Sequence, residues 1–266
     1  MNILIPMAGE GQRFKDEGYE TSKPAILTYD RKDGTQKPMV VLATMDLPGA
    51  GNSNNQLIFV DRDFHKTDGV ENIILKSFPW ARFITVEELT EGQACTCMLA
   101  KEMIDNEDEL LIAGCDNGMD YNHEAYEQLK QENDIIVFTY TDNEAVLKNP
   151  NAYGWMIVDD SNRIIGTSIK KAISDNPMKD HAVVATFWFK RGNIFVESTE
   201  KMISENDRVN NEFYVDQVIK HALDLGYKAS ILDIDRYICW GTPADYEIYQ
   251  KTYEYWKGFM KKEKLV

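Results

Sequence analysis

Positive charge is scarce in this chain: 29 Lys and Arg stand against 44 Asp and Glu, for a net charge of −15 and a pI near 4.7. That balance argues against nucleic acid or an anionic membrane surface as the main partner, because both are bound through basic patches. A phosphate-bearing ligand must then be held by a few local cations and a metal ion. Cysteine and histidine number only four each, and Cys95, Cys97, Cys115 and Cys239 form no C-x-x-C pair. A zinc site is therefore not expected, and reduced, mostly buried thiols are. No apolar run approaches the ~20 residues of a membrane span. The first residues carry no basic stretch and their apolar run stops at Pro6, so neither a secretory signal nor a membrane anchor is expected, and a cytoplasmic location is. Internal repeats, low-complexity tracts and linkers are also lacking.

What the chain does contain is alternation of strand and helix signals over 266 residues, enough for one α/β domain with a sizeable core. Apolar runs at 56–60, 82–86, 109–113 and 134–140 read as strands, and a helix covers 73–78. Residues 25–29 and the Lys37-Pro38 pair flank Asp33-Gly34 and predict a short hairpin, after which Pro38 opens a helix through Leu47. This order predicts a mostly parallel sheet with helices on both faces. Beyond residue 150 the pattern changes to a hairpin over 155–158 and 163–167 and a strong strand at 182–189. Helices follow over 192–205 and 211–225, then a last strand at 228–234 and a closing helix at 244–262. We expect a nucleotide-binding core in 1–150 and a β-rich acceptor-binding part in 151–266.

The stretch that organises the chain is its beginning. A strand at 3–6 runs into Ala8-Gly9-Glu10-Gly11-Gln12-Arg13-Phe14, and Ser22-Lys23-Pro24 follows. Closely spaced glycines let main-chain N–H groups approach an anion, and Arg13 and Lys23 supply charge for polyphosphate oxygens. Gly9 and Gly11 alone would also suit a dinucleotide fold. Phe14 occupies the third glycine position of that fingerprint, however, and Lys15 to Tyr19 reads as polar loop rather than helix.

Pro6 to Phe14, Ser22-Lys23-Pro24 and Lys37-Pro38-Met39 together resemble the signature of the sugar-phosphate nucleotidylyltransferases, and within them the bacterial capsule-cluster branch. The resemblance implies a Rossmann-like, GT-A-like nucleotidyltransferase fold. It also implies that Ala8, Gly9, Glu10, Gly11 and Arg13 wrap the triphosphate while Lys23 contacts it during attack at the α-phosphorus.

Ligands of such sheets bind beyond the carboxyl ends of the strands, which brings two more segments to the same cleft. Thr90-Glu91-Gly92-Gln93 has the form of a capping box opening a helix to Ile104, with Thr90 as N-cap. It also resembles the family's base-recognition turn, which places Glu91, Gly92 and Gln93 near the nucleobase. Asp116, delivered by the strand at 109–113, is the candidate Mg²⁺ ligand, since Mg²⁺ takes few protein ligands and fills its shell with water and phosphate. A helix-capping role for it is the structural alternative, and Asp120 lies too far along to form D-x-D with it.

In the second half, the resemblance gives Lys171 the acceptor phosphate, although Ala172 stands where the family writes proline. Glu212, in Asn211-Glu212-Phe213-Tyr214, becomes an acceptor-binding candidate. Solvated lysines and an acidic helix start are the structural alternatives. Gly241-Thr242-Pro243 resembles the closing motif, whose metal-binding aspartate is replaced by Cys239, so either a second carboxylate comes from Asp235 or Asp233 or one protein carboxylate suffices. The branch includes enzymes joining CTP to phosphocholine or phospho-L-glutamine. The implied reaction is therefore Mg²⁺-dependent transfer of a nucleotidyl group, CTP favoured, to a phosphorylated small acceptor, phosphoglutamine in particular. A sugar 1-phosphate nucleotidylyltransferase, a nucleotide-sugar-dependent glycosyltransferase and a non-catalytic nucleotide sensor are the competing readings. A homo-oligomer stays open.

Overall fold

The computed structural model describes residues 1–263. The first-half strands are β1 Asn2–Pro6, β2 Leu27–Tyr29, β3 Gln36–Pro38, β4 Gln56–Arg62, β5 Arg82–Val86, β6 Leu110–Ala113, β7 Asn117–Asp120 and β8 Ile135–Tyr140. The second half adds β9 Gly154–Val158, β10 Ile164–Ile169, β11 His181–Phe189, β12 Ala229–Asp233 and β13 Arg236–Cys239. Helices α1 Gln12–Asp16, α2 Met39–Met45, α3 Asp63–Thr67, α4 Val70–Ser77, α5 Gln93–Met98 and α6 Lys101–Ile104 lie among the early strands. Then come α7 His123–Glu132, α8 Ala145–Lys148, α9 Gly192–Ser204, α10 Val215–Asp224 and α11 Pro243–Lys262. None is both long and apolar enough to cross a membrane.

Nine strands form one sheet. β5, β4, β1 and β6 lie side by side and parallel, β11 runs antiparallel between β6 and β8, and β12 continues parallel to β8. The β9–β10 hairpin joins the start of β11, so both halves of the chain build a single sheet. β11 can serve neighbours on different levels because its register shifts between Val183 and Phe187, where Ala185 takes φ +60°.

β1 is buried along its whole length, as expected of a parallel strand with helices on both faces. Its side chains alternate: Ile3 and Ile5 enter one apolar layer with Phe59 and Trp188, and Leu4 enters the other with Ile58 and Phe195. A third cluster, built on Phe14, Met39, Leu42 and Trp240, lies under the first loop.

Several expectations change. A short helix, α1, does open after Gly11 and takes in Lys15 and Asp16, while Glu17 to Tyr19 form the expected loop. The helix expected to reach Ile104 breaks at Leu99–Ala100 into α5 and α6. The strand at 228–234 is not the last, since β13 follows and pairs antiparallel with β7. Neither β7 nor β13 has a repeating pattern long enough to announce a strand, and their pairing spans more than a hundred residues.

Candidate active site

The carboxyl ends of β1, β4 and β6 open into one cleft. Met7, just past β1, donates its N–H to Val60 of β4 at 2.8 Å, which sets the direction of the loop. Gly11 has φ +64°, and a Cβ there would lie 3.3 Å from Cβ of Lys23. Phe14, at the position of the missing glycine, is buried against Met39, Leu42 and Trp240 and packs edge-on to Tyr19 and Tyr246. It anchors the loop to the body of the protein, a role a glycine could not fill.

Lys23 reaches into the cleft. Its Nζ lies 2.5 Å from Oδ2 of Asp116 and donates to the Gly241 carbonyl at 3.2 Å. Burial alone would lower the ammonium's pKa, but Asp116 outweighs it and the value ends above the ordinary one. Burial likewise opposes the Asp116 carboxylate, and Lys23 brings it below the usual carboxylate range. Both groups therefore stay charged at neutral pH. The Trp240 N–H donates to the Asp116 carbonyl at 2.9 Å, tying the approach to α11 to the same point.

Gly9, Gly11, Arg13, Lys23, His65, Asp116 and Gly241 line a cavity of about 350 Å³. A second chamber of about 260 Å³ is lined by Ala8, Gly9, Thr90, Gly92, Gln93 and Glu212, and the two share Pro6 and Gly9. Gly9 lies on the boundary of both, and a Cβ there would meet nothing within 4 Å.

The second chamber rests on a tight contact. Phe213 donates its N–H to the Glu91 carbonyl at 2.8 Å and accepts from Ala94 N–H at 3.0 Å. Gly92, between them, has φ +126°, and a Cβ would lie 2.5 Å from the Phe213 carbonyl oxygen. Thr90 is not the N-cap of α5. Gly92 is, and the Thr90 hydroxyl bonds Thr96 Oγ1 at 2.6 Å instead, so the capping box does not form. Of the turn's expected base contacts, Gly92 and Gln93 face the chamber, whereas the Glu91 carboxylate turns to Arg208 at 3.2 Å.

Three further candidates, Glu212, Lys171 and Asp235, lie apart from the Lys23–Asp116 pair. Glu212 opens into the chamber of Gly92 and Gln93 and accepts the Tyr214 hydroxyl. Lys171 is exposed on the loop after β10, outside both cavities. Its neighbour Lys170, at φ +56°, instead turns its ammonium to the Ala152 carbonyl, 5.4 Å from the Tyr214 ring centroid. Asp235 is exposed and precedes β13, four residues from Cys239, or roughly 13 Å along an extended chain. Its N–H pairs with the Asp120 carbonyl at 2.8 Å, at the opposite end of the β7–β13 ladder from Asn117 and Asp116. The two-carboxylate site with Asp116 is therefore corrected: strand register carries Asp235 away. Asp233 is held by Thr139 at 2.6 Å and His181 at 3.0 Å, and Asp120 pairs with Arg31.

Of the carboxylates expected to hold Mg²⁺, Asp116 stays at the cavity, where Glu10 also lies. Among the described residues no cluster of three His, Cys, Asp or Glu could hold a metal ion. Asp116, facing the cavity, is the kind of single ligand that Mg²⁺ accepts alongside phosphate and water. Burial, aided by Asp116, pushes the Cys239 thiol up to about 11, so it is neutral at pH 7 and a poor ligand for a hard cation.

No protein-family model matches the sequence, and no curated protein matches it. Solved structures do. A nucleoside-diphosphate-sugar pyrophosphorylase from Vibrio cholerae RC9 superposes with a TM-score of 0.75 at 18% identity, over 94% of this chain and 99% of that one. The chain shares the fold of this pyrophosphorylase. The inositol-1-phosphate CTP transferase of T. maritima has a TM-score of 0.68 at 15% identity, covering 94% of this chain and 93% of its own. A UDP-glucose pyrophosphorylase solved with UDP-glucose has a TM-score of 0.68 at 16% identity, covering 97% and 98%. The fold also brings to the cavity wall His65, a solitary histidine after β4 that no sequence motif marks.

Proposed function

We propose that this chain is a nucleotidylyltransferase that joins a nucleoside monophosphate, from CTP by preference, to a phosphorylated small molecule and releases pyrophosphate. The observation that carries this reading is the Lys23–Asp116 ion pair on the wall of a cavity lined by Gly9, Gly11 and Arg13, which shares Pro6 and Gly9 with the chamber of Gly92 and Gln93. The larger cavity takes the triphosphate and the smaller one the base.

An acceptor phosphate oxygen attacks the α-phosphorus, a new P–O bond forms, and the bond to the pyrophosphate oxygen breaks in line. The nucleophile is already an anion, so no general base is required, and rate comes from alignment and charge neutralisation. The loop amides and Arg13 hold the leaving pyrophosphate and Lys23 the α-phosphate. Asp116 would hold Mg²⁺, which supplies charge neutralisation on the polyphosphate when bound. Lys171, on its exposed loop, is the cation for the acceptor phosphate.

Preference for CTP is supported by Glu212. A carboxylate in the base chamber can accept from the exocyclic amine of cytosine and repels the carbonyl that uracil has in its place. One fold neighbour is itself named for CTP and inositol 1-phosphate. Phospho-L-glutamine is the acceptor we favour, after the capsule-cluster resemblance. A sugar 1-phosphate is the second reading, since two of the fold neighbours are named for nucleotide sugars. Pyrophosphate release, assayed with Mg²⁺ and CTP, UTP, ATP or GTP against phospho-L-glutamine, phosphocholine, inositol 1-phosphate and glucose 1-phosphate, tests both. Release with CTP and a non-sugar phosphate is expected. Release with glucose 1-phosphate alone selects the second reading, and release with none removes the assignment.

A further inference from the structure

β4 ends at Arg62, and His65 is the third residue of α3, which follows at once. The His65 ring is only 1% exposed, yet it lines the larger cavity together with Arg13, Lys23 and Asp116. Its Nδ1 accepts the main-chain N–H of Arg62 at 3.2 Å. A main-chain N–H can only donate, so Nδ1 carries no proton, and the single proton of the neutral ring must sit on Nε2. Among the described residues Nε2 has no hydrogen-bond partner. Nε2 is not among the fully enclosed unpaired polar atoms, so it opens to the cavity, where a bound anion can be its acceptor.

The ring is also kept neutral. Burial pushes its pKa down to about 4; Arg62 and Lys15 push the same way, and Asp68 opposes them. On the cavity side Arg13 and Lys23 stand against Asp116 and Glu10. Protonation would further require Nδ1–H to face the Arg62 N–H, donor against donor.

We propose that His65 is a neutral hydrogen-bond donor, through Nε2–H, to the polyphosphate tail of the bound nucleotide. This rests on the nucleotidylyl-transfer reading of the cavity. The site thereby gains a contact to a polyanion whose strength does not depend on proton uptake, which a histidine facing phosphate in solvent would show.

The test uses inorganic pyrophosphate, CTP and CMP as probes, by calorimetric titration of the whole chain with Mg²⁺ present. His65→Phe keeps the ring's bulk and removes the donor; His65→Gln keeps a donor. Loss of one such bond is expected to weaken pyrophosphate and CTP roughly tenfold, to leave CMP unchanged, and to be largely repaired in His65→Gln. Pyrophosphate bound as tightly by His65→Phe as by the unaltered protein overturns the proposal, as does an equal loss for CMP. The unaltered protein gives a second readout through ¹⁵N NMR of its imidazoles. His65 should remain in the Nε2–H form from pH 5.5 to 8, and that resonance should shift when pyrophosphate is added. An imidazolium signal, or no response to pyrophosphate, overturns the assignment. Failure of the unaltered protein to bind CTP or pyrophosphate at all overturns the nucleotidylyl reading itself.

Discussion

Lys23 and Asp116 are 93 residues apart in the chain and 2.5 Å apart in the fold. The lysine comes from the first loop and the aspartate from the end of β6, and the Gly241 carbonyl, 3.2 Å from the same ammonium, brings in the start of α11. Three segments that share no local sequence relation thus converge where the α-phosphate is proposed to react.

Replacing Lys23 by Ala should reduce kcat on the order of 10²- to 10³-fold while leaving the nucleotide KM within a few-fold, because the charge acts on the transition state more than on the bound substrate. Steady-state pyrophosphate release measures both constants. An unchanged kcat would remove Lys23 from the reaction.

Gly92 tolerates no side chain. A Cβ would sit 2.5 Å from the Phe213 carbonyl oxygen and 2.6 Å from its nitrogen, at a φ that L-residues avoid. Gly92→Ala should cost about 1–3 kcal/mol of stability and push apart the turn and the Asn211–Tyr214 segment. Thermal unfolding and CTP titration should fall together, and normal CTP affinity in a stable variant would contradict the contact.

Glu212→Gln exchanges an acceptor for a side chain that also donates. The CTP-over-UTP ratio of kcat/KM should then drop by about 1–3 kcal/mol of discrimination, or roughly 5- to 150-fold. If the ratio stays constant, the base is not read by Glu212.

Asp61, at the end of β4, is fully buried, and neither carboxylate oxygen finds a partner among the described residues. Burial pushes its pKa up to about 6, helped by Glu71. The folded protein therefore binds more protons here than the unfolded chain, and this group's contribution to stability falls as pH rises from about 4 through 6. Asp61→Asn should stabilise the protein at pH 8 by up to about 3 kcal/mol and much less at pH 4.5. Thermal melts of both proteins at the two pH values check this; an equal difference at both would rule out the titration.

Lys171→Ala should raise the acceptor KM severalfold and leave the nucleotide KM unaltered, as a loop cation acting only on the acceptor phosphate would. If Lys170→Ala produces that effect instead, the acceptor is held beside Tyr214, where the Lys170 ammonium lies.

The strands and the glycine loop are legible in the amino-acid sequence because their signals are local. Burial on both faces makes β1 a continuous apolar run, and the positive φ of Gly11 and Gly92 restricts those positions to glycine. Phe14 marks the limit of such local signals: it breaks the dinucleotide fingerprint in plain view, but nothing near it in the chain shows that the ring anchors the loop against Trp240.

By itself the sequence determined the fold class and the glycine turn of the first loop, since hydrophobic period and glycine spacing are properties of neighbouring residues. Only the tertiary structure decided which side chains share the cleft. The β7–β13 register carries Asp235 away from Asp116, the Phe213 contact turns Glu212 to the chamber of Gly92 and Gln93, and one main-chain N–H settles the proton on His65. Each depends on packing between segments distant in sequence, where a shift of one residue would exchange one face or end for the other.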